Sequence, residues 1–316
     1  MQRYIARRLL LMIPTLFGLT ILVFMLTRFT PQDAVDRLVN TASYQDEELE
    51  TELRKQFGLN NSLPKQYANW ITSFLQGDFG VSYYSGRSVS TELRNRIPVS
   101  VELGLLAMAI AVAISLPIGV VSAVKQDSAV DYSTRGVAIL LLSIPSFWLA
   151  LIVLTVGSRE FHWATPYRYS TPWADLGNNL YMMLTPALIL GLGLAGAQMR
   201  LMRTQMLEVL RQDYIRTARA KGLTEAAVLI RHAAKNALVP VITIMGLQIT
   251  VVVAGSVVLE TIFLIPGIGQ WVVDSANKSD YPILQAVTLI VATVIVSANL
   301  LVDLSYAFLD PRVKYS

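Results

Sequence analysis

Residues 103–124, LGLLAMAIAVAISLPIGVVSAV, decide the class of fold, because they contain no Asp, Glu, Lys or Arg. A helix needs roughly 17 to 25 mostly apolar residues to cross about 30 Å of hydrocarbon. Of the 316 residues in the chain, 53% are hydrophobic and only 15% are charged, whereas soluble domains carry about a quarter charged residues. The sequence therefore predicts an integral membrane protein.

Other charge-free segments of sufficient length follow along the chain. Together they predict six membrane-spanning helices, at residues 9–27, 103–124, 136–158, 176–199, 236–259 and 281–302. A further apolar stretch, Thr261 to Val273, is too short to span and contains Pro266, Gly267 and Gly269. We predict that this stretch is an interfacial or re-entrant loop.

The distribution of positive charge predicts the orientation of the chain. Six spans place both termini on one side, and that side carries fifteen Lys and Arg residues. The other side carries three once the long 28–102 connection is left out. Because positive charge near short loops resists translocation, both termini are predicted to be cytoplasmic.

The connection between the first two spans is predicted to be a helical extracytoplasmic insertion, residues 29–97. An amphipathic helix is expected from Asp46 to Phe57, and a second from the N-cap Ser62 to Gly77. One stripe of the second helix holds Tyr67, Trp70, Ile71, Phe74 and Leu75. Packing or an interfacial belt is the favoured role of this stripe, with substrate binding as the alternative.

Groups that carry out chemistry are scarce in the predicted spans. They contain no ionisable residue, which argues against a proton-coupled transporter. The chain has no G-x-x-x-x-G-K-[ST] phosphate loop, no metal-ligand cluster and no catalytic constellation, so we expect a non-catalytic subunit without metal or cofactor, powered by a partner. Gln248, Gln285 and Asn299 are candidates for a translocation path, although interhelical hydrogen bonding is the favoured role for each.

The basic connection from 200 to 236 contains signals for a short helix. Asp213 is the expected N-cap of a helix Tyr214–Lys221, and Gly222 is the expected stop. Thr224 then caps a second helix, which Glu225 begins and which continues through Pro240 into the fifth span.

A two-turn helix is unstable alone in water, so it needs a surface on which to dock. Leu207, Leu210, Tyr214 and Ala218 recur at helical spacing and form the predicted docking ridge. The alternative is a basic loop that only fixes topology and touches anionic lipid.

Several segments carry a resemblance to a known family. D-Y-I-R-T-A-R-A-K-G at 213–222 looks like the cytoplasmic loop of the membrane-spanning subunit of binding-protein-dependent ABC importers, dipeptide/oligopeptide/nickel type. Ala218 and Gly222 match that family's E-A-A-x-x-x-G pattern, whereas Arg216 stands where its glutamate would be. Similar segments are G-D-F-G-V-S at 77–82, E-T-I-F-L-I-P-G-I-G at 260–269 and D-Y-P at 280–282, and the resemblance covers nearly the whole chain.

The resemblance implies the all-α transmembrane domain of a type I ABC importer with six transmembrane helices. The implied division is a tail and first span at 1–28, the insertion at 29–97 and a transmembrane domain at 98–310. The residues implied to couple to the ATPase are Asp213, Tyr214, Arg216, Ala218, Arg219, Lys221 and Gly222. An outer gate or a contact with the solute-binding protein is implied at Pro266, Gly267 and Gly269, with a plain turn as the alternative.

The implied partners are a second, homologous permease subunit, two ABC ATPase subunits that hold ATP and Mg, an extracytoplasmic solute-binding protein and membrane lipid; nucleic acid is not among them. The location implied is the cytoplasmic (inner) membrane of a prokaryote. Short peptides are the expected substrate. Oligosaccharides, nickel and a non-transporting membrane scaffold remain alternatives.

Overall fold

The computed structural model describes residues 2–26, 35, 51–52, 54–55, 58–166 and 168–309. The predicted all-α class is confirmed, because this part of the chain holds helices and turns and a single isolated β-bridge, Val81–Ser88. The helices are α1 Gln2–Leu26, α2 Leu63–Leu75, α3 Val89–Val124, α4 Ala129–Ser143, α5 Ser146–Phe161, α6 Leu176–Leu210, α7 Asp213–Ala220, α8 Glu225–Phe263, α9 Ile268–Lys278 and α10 Tyr281–Leu309.

Four helices, α3, α6, α8 and α10, are long and apolar enough to cross a membrane. Each contains one of the predicted spans, and three of them extend well beyond it. The helix α3 begins at Val89, inside the predicted insertion, α6 continues to Leu210, and α8 already begins at Glu225. The absence of charge marks only the hydrocarbon-buried part of a helix, so the polar extensions of α3 and α6 escaped prediction, whereas the start of α8 at Glu225 was predicted from its capping signals. The apolar part of α1, Leu10–Met25, is shorter, and its crossing stays a prediction.

The predicted third span, 136–158, is wrong as a single straight helix. The chain forms two helices, α4 and α5, bent by 93° at a short break. Ile144 ends α4 in an extended conformation, φ −88° and ψ 117°, because the ring of Pro145 excludes the helical conformation from the preceding residue. This pair is either a broken span or a re-entrant loop, so the described helices provide four spans, or five if the pair crosses once.

Only 264–267 of the predicted loop at 261–273 form a turn, because 261–263 end α8 and 268–273 belong to α9. Leu264 ends α8 in the left-handed conformation, φ 56°, and Gly267 precedes the first residue of α9. Pro266 lies between them, and α9 is too short to span a membrane.

The chain divides into two compact units, Met1–Val99 with Pro266–Ser297 and Ser100–Ile265 with Ala298–Lys314. In the first, α2 begins after Ser62 and is followed by Gly77 at φ +80°, as predicted. Tyr67 of the predicted stripe packs on α1, since Phe24 lies 5.4 Å from it between ring centroids and the Thr20 and Tyr67 hydroxyls are 2.7 Å apart. Leu75 of the same stripe is 80% exposed and does not pack. The predicted helix Asp46–Phe57 lies mostly outside the described residues.

The second unit owes its close helix packing to small residues. A Cβ added at Gly191 on α6 would lie 2.7 Å from the Ala107 carbonyl oxygen of α3. A Cβ at Gly196 would lie 2.9 Å from the Ala138 carbonyl oxygen of α4. Backbone-to-backbone approach of this kind is possible only without side chains, and it is a common way to pack helices in membranes.

Candidate functional site

The short helix α7, Asp213–Ala220, is the centre of the candidate site. The helix was predicted, but Asp213 is not its N-cap, because Gln212 has the extended N-cap backbone, φ −74° and ψ 150°. Asp213 is instead the first helical residue, where a negative side chain interacts favourably with the helix dipole. It also forms an exposed ion pair with Arg216, 3.4 Å away.

The predicted stop at Gly222 is confirmed. Its backbone has φ +79°, and its N–H donates to the Arg219 carbonyl oxygen at 2.9 Å. A Cβ at this position would meet nothing within 4 Å. The glycine is therefore required by the left-handed backbone rather than by lack of space.

The predicted start of the next helix is confirmed as well. The hydroxyl of Thr224 accepts from the Ala227 N–H at 3.4 Å, and Glu225 lies in the first turn of α8. Glu225 also joins the two helices, because Arg219 donates from Nε to Oε1 at 2.8 Å and from Nη2 to Oε2 at 3.3 Å. An exposed pair of this kind contributes about 0–1 kcal/mol to stability, and it links the last turn of α7 to the first turn of α8.

The surface on which α7 docks belongs to the same chain. Ile215 is fully buried and Ala218 is 7% exposed. The buried cluster around them consists of Ala123, Met202, Met206, Val228, Ala233, Ala237 and Val241. The predicted ridge is confirmed for Ala218 and for the partly buried Leu207 and Leu210.

Tyr214 does not belong to the buried ridge, since its side chain is 42% exposed. Its hydroxyl accepts from Nδ2 of Asn236 on α8 at 2.8 Å, which gives α7 a second polar link to that helix. Ile215 is the buried side chain that sequence reasoning missed. The signal was present, because Ile215 and Ala218 lie three residues apart on one helix face.

The first part of α8 is a π-helix, Val228–Ala234, which was not predicted. A π-helix has i→i+5 hydrogen bonds, so residues five apart share a face. Val228 and Ala233 are five apart, and both are completely buried in the cluster that receives α7. The wide turn therefore aligns two small side chains under the docked helix. Such insertions are frequent at functional sites.

The outward face of α7 is charged and exposed. The side chains of Asp213 and Arg216 are 92% and 75% exposed, and Lys221 at the end of the helix is exposed too. The helix thus has one face fixed on the core of its own unit and one face available to another molecule.

Gln248, a candidate for the translocation path, is buried in an interhelical network. Nε2 of Gln198 donates to Oε1 of Gln248 at 2.7 Å, and Gln248 donates to the Leu194 carbonyl oxygen at 3.2 Å. Ser115 donates to Oε1 of Gln198 at 2.7 Å, so α3, α6 and α8 are linked. This is the favoured role predicted for Gln248.

The other two candidates for the path lie in different surroundings. Gln285 is buried in the first unit, and Asn299 is exposed in the second. A role for any of the three in translocation stays a prediction.

Two of the segments that carried the family resemblance, 77–82 and 280–282, are joined in the first unit. Asp280 accepts from the Ser82 hydroxyl at 2.5 Å and from the Tyr83 N–H at 3.1 Å, which joins the chain after α2 to the start of α10. Gly267 is the N-cap of α9, and Gly269 is buried in that helix. A role in gating or in binding a delivering protein stays a prediction for Pro266, Gly267 and Gly269.

A buried ion pair in the second unit was also missed. Asp131 has no exposed surface and receives two bonds of 2.7 Å from Nε and Nη2 of Arg203. Ser122 donates to the same carboxylate at 2.6 Å, and the Asp127 N–H at 3.1 Å. These groups connect α3, α4 and α6 at one point.

The sequence matches two family models. Residues 115–315 match the binding-protein-dependent transport system inner membrane component, and residues 1–104 match the N-terminal part of such a membrane component.

Curated relatives align along the whole chain. The chain is 40% identical over 319 residues to the oligopeptide transport system permease protein AppB of Bacillus subtilis, covering 100% of both. It is 37% identical over 340 residues to the dipeptide transport system permease protein DppB of Escherichia coli, covering 100% of this chain and 99% of the relative. It is 36% identical over 336 residues to the di/tripeptide transport system permease protein DppB of Pseudomonas aeruginosa, with the same coverage.

Among solved structures, a crystal structure of an amino acid ABC transporter with histidines is similar, with a TM-score of 0.51 and 13% sequence identity. The match covers 70% of this chain and 95% of that chain, and at this identity it supports the fold alone. Since the family model covers more than half of the chain and the relatives match it from end to end, the chain belongs to the family of binding-protein-dependent transport system inner membrane components.

Proposed function

We propose that this chain is a permease subunit of an ATP-driven importer that moves short peptides across the cytoplasmic membrane. The relatives named above are permeases for dipeptides, di/tripeptides and oligopeptides in three bacteria, which favours peptides as the substrate. Oligosaccharides and nickel are alternatives, but no contact of the described residues favours either.

The observation that carries the proposal is the way in which α7 packs on the core and is hydrogen-bonded to α8. Ile215 and Ala218 hold one face of this helix on the core, while Arg219 and Tyr214 join it to α8. The exposed opposite face is where an ATPase subunit would bind. Movement of that subunit on ATP binding and hydrolysis would then be passed to α8 as a rigid-body displacement.

The chain has no phosphate-binding loop, so ATP and Mg would be held by the partner ATPase subunits. The assembly we propose has two such subunits, a homologous second permease subunit and an extracytoplasmic solute-binding protein. Both termini would lie in the cytoplasm with α7. The turn at Pro266 and Gly267 would lie outside, where a gate or the solute-binding protein is expected. Gln248, Gln285 and Asn299 remain our candidates for polar groups along the path.

The test uses the assembled transporter in proteoliposomes with its solute-binding protein. Uptake of a labelled dipeptide and ATP hydrolysis are measured for the wild type, Gly222→Val and Gly222→Asn. Because Gly222 has φ +79° and open space around it, valine strains the backbone without a clash, whereas asparagine tolerates this conformation. We expect Gly222→Val to lose ATPase assembly or the coupling of hydrolysis to uptake, and Gly222→Asn to retain both.

Normal coupling in Gly222→Val would contradict the role of α7. Purification of a stable chain that binds no ATPase would support the membrane scaffold instead. Competition for uptake by unlabelled peptide, oligosaccharide or Ni²⁺ identifies the substrate class independently of the coupling result.

A further inference from the structure

The second unit contains a cavity of about 240 Å³ between the end of α3, the first half of α4 and the last third of α6. Three of its lining residues are arginines, Arg135, Arg200 and Arg203. Its volume lies below the range of roughly 300–1,000 Å³ that is usual for drug-sized ligands. The cavity therefore suits a small group rather than a peptide.

Only one of the three arginines is neutralised by a carboxylate within the described residues. Arg203 is occupied by the fully buried Asp131, in a bidentate pair. Arg135 and Arg200 are exposed and appear in none of the ion pairs of the described chain; the Arg135 guanidinium lies 5.6 Å from the centre of the Tyr132 ring. The cavity wall therefore carries two uncompensated positive charges, which favours an anionic occupant.

The rest of the wall is mixed, with the hydroxyls of Ser122, Thr134 and Thr204 and a group of apolar side chains. Ile118, Ala138, Ile139 and Met199 line the cavity beside the arginines. Ile139 is 58% exposed, and its neighbour Leu140 on α4 is 59% exposed. A free inorganic anion would contact only the polar part of this wall, whereas an amphipathic molecule with an anionic head would contact both parts.

The cavity lies where predicted spans end on one side of the membrane. Ile118 is near the end of the span 103–124, Ile139 is near the start of 136–158, and Arg200 directly follows 176–199. This is the side with the excess of Lys and Arg, which we predict to be cytoplasmic. Basic pockets between transmembrane helices at this level bind the headgroups of anionic lipids.

We propose that this cavity binds the phosphate group of an anionic phospholipid from the inner leaflet. Arg135 and Arg200 supply the charge, Asp131 holds Arg203 in the wall, and Ile118 and Ile139 contact the adjoining acyl chains. The site would tie the lipid to the contact between α4 and α6. None of its lining residues belongs to α7.

The test uses the assembled transporter, delipidated in detergent. It is titrated with phosphatidylglycerol, with phosphatidylcholine of the same acyl chains, or with inorganic phosphate. Native mass spectrometry counts the bound molecules. The variants are Arg135→Gln, Arg200→Gln and the double variant. Lys125→Gln is the matched control, because Lys125 is an exposed cation in the α3–α4 turn that does not line the cavity.

We expect phosphatidylglycerol to bind more tightly than phosphatidylcholine. Each arginine variant should weaken its binding about fivefold, and the double variant about 25-fold, since a cation near an anionic surface contributes about 1 kcal/mol. Lys125→Gln should bind like the wild type. Both arginines are exposed, so melting temperatures without added lipid should be equal, which shows that the variants are folded.

Equal affinity of the double variant and the wild type for phosphatidylglycerol would overturn the proposal. Equal binding of the two phospholipids would also overturn it. Displacement of the lipid by inorganic phosphate at concentrations as low as those of the lipid would identify a simple anion site and refute a lipid site.

Discussion

Removal of Arg203 should lower the free energy of unfolding more than removal of Asp131, because the two side chains of this ion pair differ in access to water. The Asp131 side chain has no exposed surface, whereas the Arg203 side chain is 18% exposed. If Arg203 is removed, the carboxylate keeps only the Ser122 hydroxyl and the Asp127 N–H as donors. If Asp131 is removed, the guanidinium still reaches solvent.

These differences set the expected magnitudes. Arg203→Met leaves an uncompensated buried charge and should lower the free energy of unfolding by about 3–5 kcal/mol. Asp131→Ala should lower it by about 1–3 kcal/mol, the loss of hydrogen bonds to a partner that stays solvated. The double variant buries no lone charge, so it should be no less stable than Arg203→Met alone. The coupling energy between the two positions is then at least about 1 kcal/mol, within the range for contacting residues.

The measurement is an equilibrium unfolding titration of the purified chain in mixed micelles with increasing SDS, followed by tryptophan fluorescence. The wild type, both single variants and the double variant form one thermodynamic cycle. Additive effects within about 0.5 kcal/mol would refute the reasoning, since additivity is the behaviour of independent sites. So would a larger loss for Asp131→Ala than for Arg203→Met.

Two further predictions concern the second unit. Gly191→Ala should destabilise the chain by about 1–3 kcal/mol in the same titration, because its Cβ would lie 2.7 Å from the Ala107 carbonyl oxygen. The control is Gly193→Ala, whose Cβ meets nothing within 4 Å and which should be neutral or stabilising. Equal losses for the two variants would contradict the packing argument. Burial and then the hydrogen bond to Glu102 raise the pKa of Tyr169 above its ordinary value. The stabilisation by the Tyr169–Glu102 hydrogen bond is therefore fully present below about pH 10, the ordinary pKa of tyrosine. It is lost as the pH rises through the raised pKa of Tyr169. An ultraviolet titration should show one late-ionising tyrosine fewer in Tyr169→Phe than in the wild type. The deficit of this variant, about 1–3 kcal/mol, should stay constant up to about pH 10.

The elements of the site that sequence patterns predicted are those with local causes. Gly222 and Thr224 define the end of one helix and the start of the next through their own backbone and side-chain bonds. Pro145 also carried a local signal, and the bend before it follows from the restriction on Ile144. The prediction of a single span at 136–158 rested on the absence of charged residues alone and did not include the effect of Pro145 on the backbone.

The elements that escaped prediction depend on tertiary packing. The hydrogen bonds between Asp131 and Arg203 join residues 72 positions apart, and no local pattern indicates that α4 and α6 bring them together. The burial of Ile215 likewise depends on how α7 docks, since an eight-residue helix offers several faces that could be buried. The π-helix at 228–234 carries no local sequence signal in its capping residues or its charges.

The length of α8 has a mechanical consequence. The helix is continuous for 39 residues, from Glu225 to Phe263, which corresponds to about 58 Å at 1.5 Å per residue. Since Glu225 and Asn236 near one end hold α7, a tilt of about 5° imposed there displaces the far end by about 5 Å. A shift close to one helical turn at one end of α8 can therefore arise from a change of only a few degrees in its direction at the other end.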